Sequence, residues 1–314
     1  MPIHNRPSFT REFESVDLFR PSRGSVYVSG CSVEDRSNHV SEWDETIEEV
    51  SFVGVLNTTA SQIEYRTSSE STRSQLQLRS SKQIAGFWGA FESANRIYID
   101  VTGLRHHVWA ALLRGALLTR KCVIAVYVEP GDYRPSLTPT DNEIFDLSER
   151  IEGISPLPGF ARLRDSGDNT CFIPLLGFEG TRTAYLISKL EPPGNKIVPV
   201  VGVPGFRPEH PFSAYIGNRN VLTTTKAWKK IRYAQANCPF DLYYNLEEIQ
   251  KQYPGHVLKI APIGTKPHAI GSVLYAIANP DHVELVYDHP IRKAERTAGT
   301  GRLLTYNISS LVGQ

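Results

Sequence analysis

The chain has 314 residues, 40% of them hydrophobic and 21% charged, with a formal net charge of +1 at pH 7. That length and apolar content suffice for one large α/β domain or two smaller ones. The near-neutral total does not support a nucleic-acid partner, although it is compatible with a local basic patch.

No run is long and apolar enough to span a bilayer, so no membrane association is expected. The N-terminal stretch "MPIHNRPSFTREFESVD" has no apolar h-region, so no secretory leader is expected and the predicted location is the cytoplasm. The four cysteines, Cys31, Cys122, Cys171 and Cys238, are far apart and form no CxxC pair. They read as free thiols in a reducing compartment, and no metal site is predicted.

Residues 1–24, polar and rich in Pro and Arg, are expected to form an extended arm. "SVYVSG" (25–30) reads as a first strand, and "SFVGVLN", "QIEYRT" and "QLQLR" as short strands separated by Ser-rich turns. "SKQIAGFWGAFESA" (81–94) carries Ile84, Phe87, Trp88 and Phe91 on one helical stripe. Then come "RIYIDV" as strand, "HHVWAALLRGALL" as helix and "CVIAVYV" as strand. A Pro-, Asp- and Gly-rich segment (129–169) is taken as the boundary region between halves.

The alternation resumes with "CFIPLLG" as strand, "TRTAYLISKL" as helix and "KIVPVVGV" as strand. A long loop or broken helix is expected over 204–226. The chain continues with "IRYAQAN" as strand, "DLYYNLEEIQKQY" as helix, "VLKIAPI" as strand, "AIGSVLYAIAN" as helix and "VELVYDH" as strand. "RLLTYNI" reads as a last edge strand. Apolar runs without alternation imply strands buried on both faces, and helices between them imply a mostly parallel sheet.

Two segments align end to end with one gap: 97–130, "IYIDVTGLRHHVWAALLRGALLTRKCVIAVYVEP", and 258–290, "LKIAPIGTKPHAIGSVLYAIANPDHVELVYDHP". Gly103 meets Gly264, Arg105 meets Lys266 and His107 meets His268. Amphipathic periodicity explains matching apolar positions, but not a glycine, a cation and a histidine recurring at one turn. The expectation is an internal repeat of two strand–turn–helix–strand units.

At such a turn a strand delivers the chain to a helix N-terminus, where unpaired N–H groups and a partial positive charge favour an anion. Glycine permits close approach of a ligand to the backbone, Thr265 caps or bonds a phosphate oxygen, and Lys266 or Arg105 adds a full charge. The competing reading is structural. Thr265 caps the helix, Pro267 sets its first turn, and His107 and His268 cap carbonyls.

"GFEGTR" (177–182) sits at another strand end. Glu179 is a candidate ribose ligand or general base and Arg182 a phosphate ligand, against a plain ion pair between them at the helix start. "GCSVEDRS" (30–37) follows the first strand and is either part of the same edge or a polar loop. Asp100, ending "RIYID", is the second candidate acid or base. No Walker motif, GxGxxG, GxSxG or HExxH occurs.

Taken together, "CSVEDRS", "IDVTGL", "VYVEPGDY", "GFEGTR" and "APIGTKPHAIG" resemble a group of bacterial α/β proteins from mobile-element and phage-defence neighbourhoods, over about residues 25–308. "GTK" at 264–266 also resembles the turn of the CRISPR-associated Rossmann-fold (CARF) sensors, which bind cyclic oligonucleotides as dimers. Ile263 stands where that family often carries a further glycine. The resemblance implies a nucleotide-like ligand, partner proteins of a defence system and a homodimer.

The expected architecture is therefore α/β: an arm (1–24) and two Rossmann-like halves (25–150 and 151–314), internally repeated, with a mostly parallel sheet. The expected function is a cytosolic sensor or regulatory component of an anti-phage defence system that binds a nucleotide or phosphate ligand. Its pocket would be formed by Gly103, Arg105, His107, Gly264, Thr265, Lys266 and His268, with Glu179 and Arg182 as the far wall. One alternative is a nucleotide-processing glycosidase or phosphodiesterase using Glu179 or Asp100. The other is a scaffold that binds proteins and no small molecule.

Overall fold

The computed structural model describes residues 9–312 except 31, 33, 44–46, 48, 70–71, 141–142 and 162–168. The chain divides into two compact units. The first runs up to Tyr133 and resumes at Thr297, and the second is Arg134–Arg296. The division at 133/134 lies inside the 129–169 boundary region and ahead of 150/151, and the last segment belongs with the first unit.

The first unit begins with β1 (Thr10–Phe13), β2 (Ser25–Gly30), β3 (Val50–Thr58), β4 (Gln62–Thr67) and β5 (Ser74–Gln77). Helix α1 (Ser81–Gly89), β6 (Arg96–Asp100), α2 (His106–Leu118) and β7 (Cys122–Tyr133) follow. The second unit contains β8 (Ser148–Ile151), β9 (Thr170–Pro174), α3 (Gly180–Leu190), β10 (Val200–Gly202), α4 (His210–Thr225), β11 (Arg232–Ala234) and α5 (Pro239–Gln252). It ends with β12 (Val257–Ala261), α6 (Lys266–Ala278), β13 (Val283–Leu285) and β14 (Pro290–Arg292). The chain then returns to the first unit with β15 (Thr297–Asn307) and α7 (Ser309–Val312).

The first unit holds one eight-stranded sheet in the order β1–β15–β7–β6–β2–β3–β4–β5. Its centre, β7–β6–β2–β3, is parallel, and both flanks are antiparallel. The sheet of this unit is thus mixed, with a parallel centre. The expected arm carries β1, which pairs with β15. β15 lies between β1 and β7 and is not an edge strand. One face of the sheet packs an aromatic cluster of Phe19, Tyr27, Trp43, Phe52 and Tyr98 with Val126, Val128 and Leu303. Helices α1 and α2 are joined by the bond from Trp88 Nε1 to the Leu112 carbonyl, 3.1 Å.

In the second unit β13, β12 and β9 pair in parallel, as do β10 and β11. Parallel bridges from Phe172 to Ile197 and from Leu175 to Val200 join the two sets. The resulting order is β13–β12–β9–β10–β11. The chain moves outward from β9 to β11, then crosses to the other side at β12. The point of reversal, where open α/β sheets hold ligands, lies between β9 and β12. β14 pairs antiparallel with β8 apart from this sheet. α4 is one continuous helix, where a loop or broken helix was expected over 204–226. The unit's core gathers Phe172, Leu176, Leu186, Ile197, Val201, Leu222 and Ile263.

Candidate functional site

Both turn glycines serve close backbone packing. A Cβ on Gly264 would lie 2.9 Å from the carbonyl oxygens of both Leu175 and Leu176, just beyond β9. A Cβ on Gly103 would lie 1.5 Å from the Gly30 carbonyl oxygen, at the end of β2. In each unit the glycine lets one strand outlet cross against its neighbour, so its lack of a side chain is already used by the fold.

The β12–α6 turn of the second unit is built from Thr265, Lys266, Pro267 and His268. Thr265 is the N-cap, and its hydroxyl accepts from the His268 N–H (3.3 Å) and donates to the Ala236 carbonyl (2.7 Å). Lys266, expected to add a full charge to a ligand site, is buried at the first position of α6. Every residue of this helix from Lys266 to Ala276 is buried, so the lysine goes inside with the helix that carries it. An ammonium at the positive end of a helix is electrostatically disfavoured, and a negative charge there is favoured.

His268 is buried, and its Nε2 lies 2.9 Å from the Gln235 carbonyl oxygen. A carbonyl only accepts, so Nε2 carries the proton and Nδ1 is left as an acceptor. Nδ1 is buried and has no hydrogen-bond partner among the described residues. Burial pushes the imidazole pKa down to about 4, with its bond to Gln235 and the charge of Asp241 opposing only in part.

This shift has a sign that can be checked. The folded pKa lies below the ordinary value of 6.5, so the unfolded chain takes the proton first as pH falls. The stabilisation is complete above pH 6.5 and is lost down to about pH 4. Over that window the wild type is expected to lose about 3 kcal/mol more stability than a His268→Asn variant. Urea unfolding at pH 7 and pH 4.5 measures this, and parallel losses in the two proteins would contradict it.

The first unit's corresponding turn differs in chemistry. Arg105 is the N-cap of α2, with backbone angles of −72° and 153°, against −73° and 152° at Thr265. By backbone geometry Arg105 therefore corresponds to Thr265 rather than Lys266. It offers no cap hydrogen bond, because a guanidinium has no acceptor, and its side chain is exposed. His107 is buried with Nε2 3.0 Å from the Thr59 carbonyl oxygen. The two histidines thus share the carbonyl-capping role. The two cations share neither position nor burial.

Glu179 and Arg182 do not pair at the start of α3. The Glu179 carboxylate accepts from the N–H groups of Leu147 (2.8 Å) and Ser148 (2.7 Å) and from the Ser148 hydroxyl (2.8 Å). It anchors the approach to β8, and both oxygens are occupied. Arg182 makes two bonds to Asp288, 2.8 and 2.6 Å, and one to the Ile263 carbonyl, 3.3 Å. Burial opposes its charge, but the bonds and charge of Asp288 outweigh that and raise its pKa. The start of α3 is itself covered by α4: a Cβ on Gly180 would lie 1.8 Å from the Gly217 carbonyl oxygen. Asn218 on α4, fully buried, bonds the Gly177 carbonyl at 2.8 Å.

Asp100 is buried at the end of β6. It accepts from the Tyr27 hydroxyl (3.0 Å) and the Thr102 N–H (2.8 Å), and lies 3.1 Å from His39 Nε2. Burial opposes its ionisation, yet the His39 bond and charge, followed by the Thr102 bonds, hold its pKa below the usual carboxylate value. His39 Nδ1 faces the Arg36 carbonyl at 3.1 Å. Facing a carboxylate on one side and a carbonyl on the other, both nitrogens must donate, so this imidazole is cationic.

Beside it Arg36, also buried, bonds Glu34 (2.6 Å), the Tyr127 hydroxyl (3.2 Å) and the Val128 carbonyl (2.7 Å). The segment 34–39 is therefore pinned onto the sheet by buried ionic bonds, where "GCSVEDRS" was expected to be either a ligand edge or a polar loop. Cys31 and Val33 of that motif lie outside the described residues. Sequence reasoning singled out Arg36 within its motif but missed Tyr27 and His39. Tyr27, the single aromatic within an otherwise small or aliphatic strand, was the one available signal.

The expected single pocket distributes over both units: Gly103, Arg105 and His107 belong to the first, and Gly264, Thr265, Lys266, His268, Glu179 and Arg182 to the second. Among the described residues Cys122, Cys171 and Cys238 are free thiols, and no helix is long and apolar enough to cross a membrane. No protein-family model matches the chain, and no curated protein matches it.

Proposed function

We propose that the chain is a nucleotide- or phosphate-ligand-binding sensor or regulatory component of a bacterial anti-phage defence system, and that its ligand is held at the β9/β12 reversal of the second unit. The observation that carries this reading is the placement of the α6 N-terminus, with Thr265 and Lys266, at that reversal. The unpartnered acceptor of His268 supports it, since a hydroxyl or amine of a ligand complements it. The defence context and partner proteins rest on the motif resemblance. In this reading both units are Rossmann-like relatives, consistent with the glycine crossings and the carbonyl-bound histidines they have in common.

Binding is favoured over turnover because the two candidate acid–base groups are committed to their own units. Glu179 has both oxygens bonded to residues 147 and 148, and Asp100 is bonded to Tyr27, His39 and Thr102. The test is a thermal-shift screen of the full chain against inorganic phosphate, mononucleotides, and linear and cyclic oligoadenylates. A binding compound at 100 times its Kd is expected to stabilise by about 2.7 kcal/mol and to be recovered intact. Consumption of the compound that Glu179→Gln abolishes would assign the chain to the enzyme reading instead.

A further inference from the structure

The stretch 210–240 carries Arg219, Lys226, Lys229, Lys230 and Arg232 and not one Asp or Glu, in a chain whose total charge is +1. This acid-free stretch supplies α4, the turn after it and β11, the outermost strand of the second unit's sheet. The cations meet others there. Lys196, just before β10, contacts His256, just before β12. Lys230 bonds the Asn195 carbonyl and the Tyr253 hydroxyl and lies 5.7 Å from the Tyr253 ring. Arg232 bonds the Gln252 side-chain oxygen. Lys230 and Arg232 therefore make their bonds to uncharged groups, and among the described residues no carboxylate pairs with Lys196, Lys230 or Arg232.

Aromatic faces are exposed among these cations. Trp228 is 56% exposed with the Lys229 ammonium 5.5 Å from its ring, and Tyr233 is 54% exposed, held at its hydroxyl by Tyr215 at 2.9 Å. Both rings therefore offer a planar face to solvent beside the cations. Cations and aromatic faces gathered at one edge match a strand of phosphates with unstacked bases, the phosphates meeting ammonium and guanidinium groups and the bases stacking on the rings. Aspartate and glutamate side chains would meet the charges but offer no aromatic face to stack on the rings.

We propose that the edge formed by residues 228–233, with Lys196 and Tyr253 beside it, binds single-stranded nucleic acid without base specificity. The surface is separate from the β9/β12 reversal and does not depend on the ligand held there. The test is fluorescence anisotropy of the full chain with a labelled 20-nucleotide oligo-dT. Four neutralised phosphates imply a fall in affinity of roughly 50-fold between 50 and 200 mM salt.

Trp228→Ala is expected to weaken binding by about 10-fold or more, and Lys229→Glu with Arg232→Glu by more than that, while circular dichroism and melting temperature stay unchanged. Absence of binding at 50 mM salt would overturn the proposal. So would equal affinity in the Trp228→Ala and charge-reversal variants. Binding of a polyglutamate peptide as tight as oligo-dT, and equally insensitive to Trp228→Ala, would assign the edge to acidic proteins and overturn it as well.

Discussion

Asp100→Asn is expected to destabilise the first unit by about 3–5 kcal/mol. The carboxylate is 2% exposed and is the anion facing the His39 imidazolium at 3.1 Å. The amide is nearly the same size, so packing is preserved. What is lost is the negative charge, leaving a buried cation uncompensated and placing an NH2 group against donors from Tyr27 or Thr102. Urea unfolding followed by tryptophan fluorescence reports the change directly, because Trp43 packs 4.8 Å from the His39 ring. Asp100→Asn combined with His39→Leu is expected to cost less than the sum of the two single changes, since the second removes the charge that the first strands. A loss below about 1 kcal/mol in the single variant would show that the ionic bond contributes little to the fold.

Arg182→Ala is expected to cost a similar amount, about 3–5 kcal/mol, in the second unit. Asp288 is fully buried, and the two bonds from Arg182 at 2.6 and 2.8 Å are its ionic partner. Removing the guanidinium strands that carboxylate and frees the Ile263 carbonyl next to Gly264. Arg182→Lys keeps a charge but not the paired geometry, and is expected to fall between wild type and alanine. The same variants decide what Arg182 does. A structural anchor lowers the melting temperature with or without ligand. A phosphate ligand instead leaves the free protein's melting temperature alone and removes its response to nucleotide.

The alternation of strands and helices was legible because buried parallel strands are continuously apolar, as in "CVIAVYV" and "CFIPLLG", and their helices carry apolar stripes. The capped turn at Thr265 was legible too, being local: hydroxyl, proline and helix start lie within three residues. What escaped was long-range. β15 joins β7 after the whole second unit intervenes, and half of it, "TAGTGR", has no apolar pattern to announce a central strand.

Arg182 chose Asp288, 106 positions away, over Glu179, three positions away. No periodicity encodes that choice, which depends on where β13 delivers the chain. Burial of Lys266 escaped for a related reason. A lysine at a helix start reads as exposed unless the helix is enclosed on all sides, and enclosure is a property of the fold. The glycine shared by the two turns serves a backbone crossing at strand outlets, which depends on where the neighbouring strand ends.

The most direct test of the ligand site is calorimetric titration of the nucleotide that gives the largest thermal shift, into wild type, Lys266→Gln and Arg105→Gln, with melting temperatures measured alongside. Charge-assisted bonds from Lys266 predict a loss of about 10- to 100-fold in affinity for Lys266→Gln in a folded protein, and little change for Arg105→Gln. Unchanged affinity in folded Lys266→Gln, or a screen in which no phosphate-bearing compound shifts the melting temperature, would contradict an anion site at the α6 N-terminus.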